Sequence, residues 1–408
     1  MSASADLRQQ LDARCHQQIE RLVAWAEINS GTLNLHGLER MASEIGKLYQ
    51  GLADSIELLE PARVREVDDT GVDNPVTAGK TLYLRKRPEA PRRVLLMGHM
   101  DTVFEADNSF QQCEWLDEER LRGPGTADMK GGLLCMYEAL RLFEQTNQNS
   151  DIGWDVLINP DEETGSRSSA GHIAMAARQC EIGLVYEPAL TDGTLAGARK
   201  GTGNFCLLVH GKSAHAGREF DAGRNAIYQL ADAMTRLHGL NQKNPNITLN
   251  LGRIRGGDAL NRVPDLALVK FNVRTLARED EQWVELQLHE LVEQIKKEEG
   301  FSAELSGGFT RPPKPIDERQ QALMDLVSET GNSLGMDIRY KATGGCCDGN
   351  NLKAAGLVNV DTMGVLGANI HSDREFMLRS SLPERALLSH QVLCRWASSE
   401  AFVRGSNP

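Results

Sequence analysis

None of the eight cysteines forms a C-x-x-C pair. They are scattered at Cys15, Cys113, Cys135, Cys180, Cys206, Cys346, Cys347 and Cys394. That excludes a structural zinc knuckle and a disulfide framework, and predicts reduced, mostly buried thiols. No apolar run approaches the roughly 20 residues that cross a bilayer. The stretch MSASADLRQQLDARCHQQIERL lacks the apolar segment of a secretion signal. These absences predict a soluble, cytoplasmic chain with no membrane partner. Positive charge is also short, with 45 basic against 57 acidic residues and a net charge of −12. A nucleic-acid partner is therefore excluded, because a phosphate backbone needs a basic surface. Internal repeats and low-complexity segments are missing too.

What is present reads as an α/β chain. Leu7, Leu11, Cys15, Ile19, Leu22 and Val23 recur at helical spacing over 6–26. Strands are expected at 81–85, 94–97, 154–159 and 183–187, with helices at 130–144 and 168–178. The run 94–97 is apolar throughout, as in a strand covered on both faces. Alternating strands and helices predict an open sheet of parallel character. From residue 198 the pattern changes. Strands are expected at 204–210, 247–254 and 266–275, and helices at 222–240 and 281–299. In 266–274, Leu266, Leu268, Lys270, Asn272 and Arg274 alternate with Ala267, Val269, Phe271 and Val273, which predicts one covered and one polar face. The Pro-rich stretch Arg311-Pro312-Pro313-Lys314-Pro315 closes this block and reads as a hinge or linker. The expectation is one α/β domain in two segments, 1–197 and 312–408. Between them lies an inserted α+β domain, 198–311, with a four-stranded antiparallel sheet and two helices.

Five short motifs carry chemistry. Gly98-His99-Met100-Asp101 follows the run 94–97, at a strand end where sites form in open α/β sheets. There Asp101 can accept the far ring proton of His99, the arrangement found behind metal-bound imidazoles. A Gly-rich turn carries Asp128 ahead of a helix, and its carboxylate suits a cation better than a phosphate. Asp161-Glu162-Glu163 follow a strand, where three adjacent acids need a cation to offset their repulsion. One acid can bind metal while its neighbour serves as general base. Glu187 and His371 complete the set. Singly, each motif also reads as ordinary structure. Together, two His and three carboxylates suit zinc, or else cobalt or manganese. An aspartate that bridges makes a two-metal site natural, with the ions roughly 3.5–4 Å apart.

The order H-x-D, G-x-G-T-A-D-M-K-G-G, D-E-E-x-G-S, E-P, S-A-H-A-G and late H-S-D resembles the dinuclear zinc exopeptidase and deacylase family. That family includes glutamate carboxypeptidase, acetylornithine deacetylase, succinyl-diaminopimelate desuccinylase and aminoacylase. The resemblance spans about residues 20 to 395. It implies an aminopeptidase-like α/β catalytic domain with an inserted lid or dimerisation domain, two Zn2+ per subunit and a homodimer. It implies that Asp128 bridges the metals, that His99 and Glu187 complete one site, and that Glu163 and His371 complete the other. By it Glu162 is the general base, Asp101 orients His99, and a cis peptide follows Asp128. His215, in Ser213-Ala214-His215-Ala216-Gly217, would stabilise the oxyanion in the partner subunit's site. Asn261, Arg311 and the turn Gly344-Gly345 would meet substrate. Cys346 and Cys347 depart from the smaller, more hydroxylic residues that the glutamate carboxypeptidase of that family has after the turn.

The implied reaction is hydrolysis of an amide bond beside a free carboxylate. A carboxypeptidase releasing C-terminal glutamate, or a similar residue, from peptides or N-acyl amino acids is expected. An N-acyl-amino-acid deacylase is the alternative. A non-catalytic metal-binding scaffold would have lost a ligand or the base, and none is lost. Five of the acids counted in the −12 fall at this one site. Two divalent ions would bring the total to about −8, so an anionic substrate is not excluded.

Overall fold

The computed structural model describes residues 3–147 and 149–403. The outermost ends of the two expected segments, 1–2 and 404–408, lie outside the described residues. The run 94–97 sits in strand Arg92–His99, inside a six-stranded sheet. The spatial order is Ser55–Leu59, Thr81–Lys86, Ile152–Asn159, Arg92–His99, Ile182–Val185, Asn359–Val360. Arg92–His99 runs parallel to both neighbours, and Asn359–Val360 extends the parallel set. The opposite edge is antiparallel. There the link 87–91 is too short to carry a crossover helix, so the chain must reverse. Both faces are covered. Leu95, Met97 and Leu157 pack against Ile173, Ala176 and Ala177. Val94, Leu96 and Val156 share a core with Leu133, Leu140 and Trp396. Burial on two faces is why the strand shows no polar alternation.

A second, antiparallel sheet has the order Thr248–Gly256, Leu266–Thr275, Gly201–His210, Ser302–Arg311. Ala267, Val269, Phe271 and Val273 point into a core shared with Leu230 and Leu237 of helix Ala226–Lys243 and with Val284 and Leu288 of helix Arg278–Lys297. The other face is only half polar. Leu268 is buried with Cys206 and Leu208, because the hairpin Val64–Val67/Asp73–Val76 lies over them. Asp69 of that hairpin faces Arg253 at 3.3 Å and Arg255 at 3.5 Å.

The Pro-rich crossing is not a loose hinge. Lys314 and Arg199 exchange both backbone hydrogen bonds, at 3.0 and 3.1 Å. Their side chains converge on buried Asp361, each at 2.7 Å. Two cations on one carboxylate tie both chain crossings to the six-stranded sheet. Elements that went unread include helices Leu35–Tyr49 and Glu318–Ser333, the hairpin, and a small sheet of Gly367–Ala368, Phe376–Leu378, Arg120–Arg122 and Glu114–Trp115. That small sheet sets the segment bearing His371 beside the turn bearing Asp128. Among the described residues, no helix is long and apolar enough to cross a membrane. All eight cysteines are free.

Candidate metal centre

His99 ends its strand and is 1% exposed. Its Nδ1 lies 2.9 Å from the Asp101 backbone oxygen and 3.3 Å from Oδ1 of that carboxylate. Its Nε2 lies 3.1 Å from Asp128 Oδ1 and 4.0 Å from Glu187 Oε2. Asp101 does more than orient His99. It accepts from the Glu162 and Glu163 amides at 3.1 and 3.2 Å and from the Thr32 hydroxyl at 2.7 Å. One carboxylate therefore fixes both the imidazole and the acidic loop.

Asp128 sits in a turn that begins at Gly125, whose φ of 71° suits glycine. The Asp128–Met129 peptide is cis. The next helix starts at Gly131, and a Cβ at Gly132 would collide with the Tyr186 carbonyl. That close approach lets the helix start pack against the segment carrying Glu187. The other Asp128 oxygen, Oδ2, lies 3.1 Å from His371 Nε2, which is also 3.1 Å from Glu163 Oε2. The two oxygens of Asp128 thus face different histidines.

The acidic triplet divides its roles. Asp161 turns away and accepts from the Ser168 amide and the Ser168 and Ser169 hydroxyls. Glu162 faces Arg311 Nη2 at 2.8 Å, and Glu163 faces His371. Burial pushes the Glu162 carboxyl up to about 8, against the pull of Arg311 and His99. Burial, then Asp128 and Glu162, hold Glu187 well above the carboxylate range. Hydrogen bonds to Asp128 and Glu163 raise His371 to about 11. Burial opposes ionisation of Asp128, yet hydrogen bonds from His371 and His99 hold it below the usual range. Donor atoms of His99, Asp128 and Glu163 lie within 4.8 Å of one another, as do those of His99, Glu162 and Glu187. Nitrogen and oxygen donors at this spacing fit divalent cations such as zinc. His371 is 51% exposed at its side chain, so the centre opens to solvent on that side.

The remaining expected site residues are placed differently. Arg311 is buried. Its Nη2 donates to the Glu162 backbone oxygen at 2.6 Å and to Ser166 Oγ at 3.0 Å, while its Nε finds no hydrogen-bond partner. Gly344 and Gly345 form an exposed turn, where Arg199 reaches the Gly345 oxygen at 3.2 Å. His215 and Asn261 are exposed on neighbouring loops joined by an Ala216 N–H to Asn261 oxygen bond. Their hydrogen bonds stay within those loops and do not reach the cluster. Sequence reasoning missed Asp348 and Glu375. Asp348 accepts from Ser166 and Asn159 and lies 3.6 Å from Arg311. Its signal was its place directly after Cys347, at the end of the run Gly344-Gly345-Cys346-Cys347-Asp348, although Asp348 itself was given no role. Glu375 lies four residues past His371, and its only signal was that position.

A sequence profile described as peptidase family M20/M25/M40 matches residues 95–395. Carboxypeptidase G2 from Pseudomonas sp. (strain RS-16) is 28% identical over 324 residues, covering 78% of this chain and 77% of that protein. Succinyl-diaminopimelate desuccinylase from Pseudomonas syringae pv. syringae (strain B728a) is 26% identical over 366 residues, covering 85% and 91%. A Bacillus subtilis protein described as a dinuclear metal binding peptidase from the M20 family has a similar fold. Its TM-score is 0.67 at 15% identity, covering 95% of this chain and 100% of that one.

Proposed function

Since the chain belongs to peptidase family M20/M25/M40 and is a metal-dependent hydrolase of that family, we propose that it cleaves an amide bond next to a free carboxylate. The favoured substrates are peptides or N-acyl amino acids ending in glutamate or a similar residue. The observation that carries this reading is Asp128, whose two oxygens each face a different histidine at 3.1 Å. In it Asp128, His99 and Glu187 would hold one zinc ion, and Asp128, Glu163 and His371 would hold a second. When bound, such a pair supplies Lewis acidity for the scissile carbonyl and acidifies the attacking water. Glu162 stands beside these ligands, takes the proton of that water and hands it to the leaving nitrogen. Arg311 and the turn Gly344-Gly345 bind the substrate carboxylate.

His215 and Asn261 enter through a second copy of the chain, where His215 holds the developing oxyanion. Supporting this homodimer, their loops carry exposed Phe220 and Leu260, with exposed Tyr228 nearby, and strand Thr248–Gly256 is an edge of its sheet. The division into a catalytic part, 1–197 and 312–408, and an inserted lid part, 198–311, belongs to the same reading. It is supported by the separate core of the second sheet. Eight free thiols suit a cytoplasmic location.

The test is Glu162→Gln in the metal-loaded enzyme. Metal content should persist while turnover falls by about 10²–10⁴-fold. Full activity overturns the assignment. Assaying N-acyl-glutamates against acetylornithine and succinyl-diaminopimelate separates the carboxypeptidase reading from the deacylase one, which the desuccinylase relative favours.

A further inference from the structure

Glu375 is 1% exposed. Its Oε1 accepts from two successive backbone amides, Ala127 N at 2.9 Å and Asp128 N at 3.0 Å. Its backbone oxygen accepts from Gly123 N at 3.2 Å. One residue therefore spans the whole turn that presents Asp128. The same residue closes the loop that presents His371, through a 3.1 Å bond from its amide to the Ser372 oxygen. Phe376, next in the chain, pairs with Arg122.

An acceptor oxygen at this position satisfies both N–H groups at once, and those two amides belong to Asp128 itself and to its neighbour Ala127.

We propose that Glu375 is a positioning residue for the metal pair. It holds the Asp128 backbone so that the two carboxylate oxygens diverge onto two cation positions, and it locks the His371 loop to that alignment. This rests on the dinuclear reading given above.

The experiment is Co2+ titration of the metal-free full-length protein, followed by visible absorption and by elemental analysis of bound metal. Wild type should take up two equivalents. In Glu375→Ala at least one equivalent should weaken by about 10–100-fold, the usual cost of losing a group that orients a ligand, and the cobalt spectrum should change. Glu375→Gln keeps an oxygen for both amides and should recover two equivalents and the wild-type band shape. Glu375→Asp keeps the charge but falls one methylene short of the two amides, and should bind as weakly as the alanine variant. If the alanine variant fails to fold, the aspartate variant decides. Wild-type affinity and spectrum in the aspartate variant overturn the proposal. A wild-type protein that takes up no metal overturns the dinuclear reading, and this proposal with it.

Discussion

Arg311 Nη2 lies 2.8 Å from Glu162 Oε1 and donates at 2.6 Å to that residue's own backbone oxygen. Arg311 is the last residue of strand Ser302–Arg311, so the second sheet ends on the candidate base. Removing the guanidinium leaves Glu162 buried among Asp101, Glu163 and Glu187 without its nearest cation. Breaking a buried pair from one side typically costs about 3–5 kcal/mol. Arg311→Met should lose stability on that scale in urea denaturation. Arg311→Lys restores a charge but not the planar fork that reaches Glu162 and Ser166 together. It should recover part of the stability and less of the turnover. Wild-type stability in Arg311→Met would mean that the contact carries no weight.

Asp361 is the joint between the two sheets. Burial would raise its carboxyl, but Arg199 and Lys314 outweigh that and hold it at about 2. An acid depressed on folding stabilises the native state above its unfolded value of 3.8, and that contribution fades as pH falls toward 2. Asp361→Asn leaves two cations facing a neutral side chain. The expected loss at neutral pH is about 3–5 kcal/mol, with the difference from wild type shrinking below pH 3.8. Limited proteolysis should also cut near 198–200 and 312–315, which stay protected in wild type.

Periodicity made some elements legible and size hid others. The strand Leu266–Thr275 was readable because each second residue enters a core. Helix Leu35–Tyr49 was equally readable from Leu38, Met41, Ala42, Ile45 and Tyr49 behind an Asn34 cap, and was passed over. The small sheet had no such signal, since strands of two or three residues show no period. At the centre, His99, Asp128, Glu162, Glu163, Glu187 and His371 stood out as chemically apt side chains in motifs. Glu375 and Asp348 did not. Glu375 bonds to backbone amides, and Asp348 to Ser166 and Asn159 from far along the chain. The rigid crossing was hidden for the same reason, because Asp361 is distant in sequence from both residues that it joins.

Glu281 offers a test away from the centre. It is 6% exposed in the first turn of helix Arg278–Lys297, and its Oε1 has no hydrogen-bond partner. Burial pushes its carboxyl up to about 7, with Arg278 pulling the other way. Between the unfolded value of 4.5 and about 7, the native state holds a proton that the unfolded chain has released. Stability from this group therefore falls as pH rises, by about 1.4 kcal/mol per pH unit. Glu281→Gln should be more stable than wild type above pH 7 and indistinguishable from it below pH 4.5. Guanidinium unfolding of both proteins across that range checks the sign. Equal pH slopes would overturn the account.

The last prediction separates a metal ligand from an ordinary buried acid. Burial, Asp128 and Glu162 all disfavour the charged form of Glu187. Without metal, Glu187→Gln should hold or raise the melting temperature, because it removes a carboxyl that its surroundings resist. With metal, the same change removes a donor. The stabilisation that binding gives grows with the ratio of free metal to Kd, so it should shrink and the order of the two melting temperatures should reverse. Glu138 is the control. It too is buried but is paired with Arg14 at 2.9 Å and Arg141 at 2.7 Å, so Glu138→Gln should destabilise by the same amount in both states. Thermal scans in chelator and in micromolar zinc would show the difference. If Glu187→Gln shifts the melting temperature equally in both, Glu187 does not bind metal.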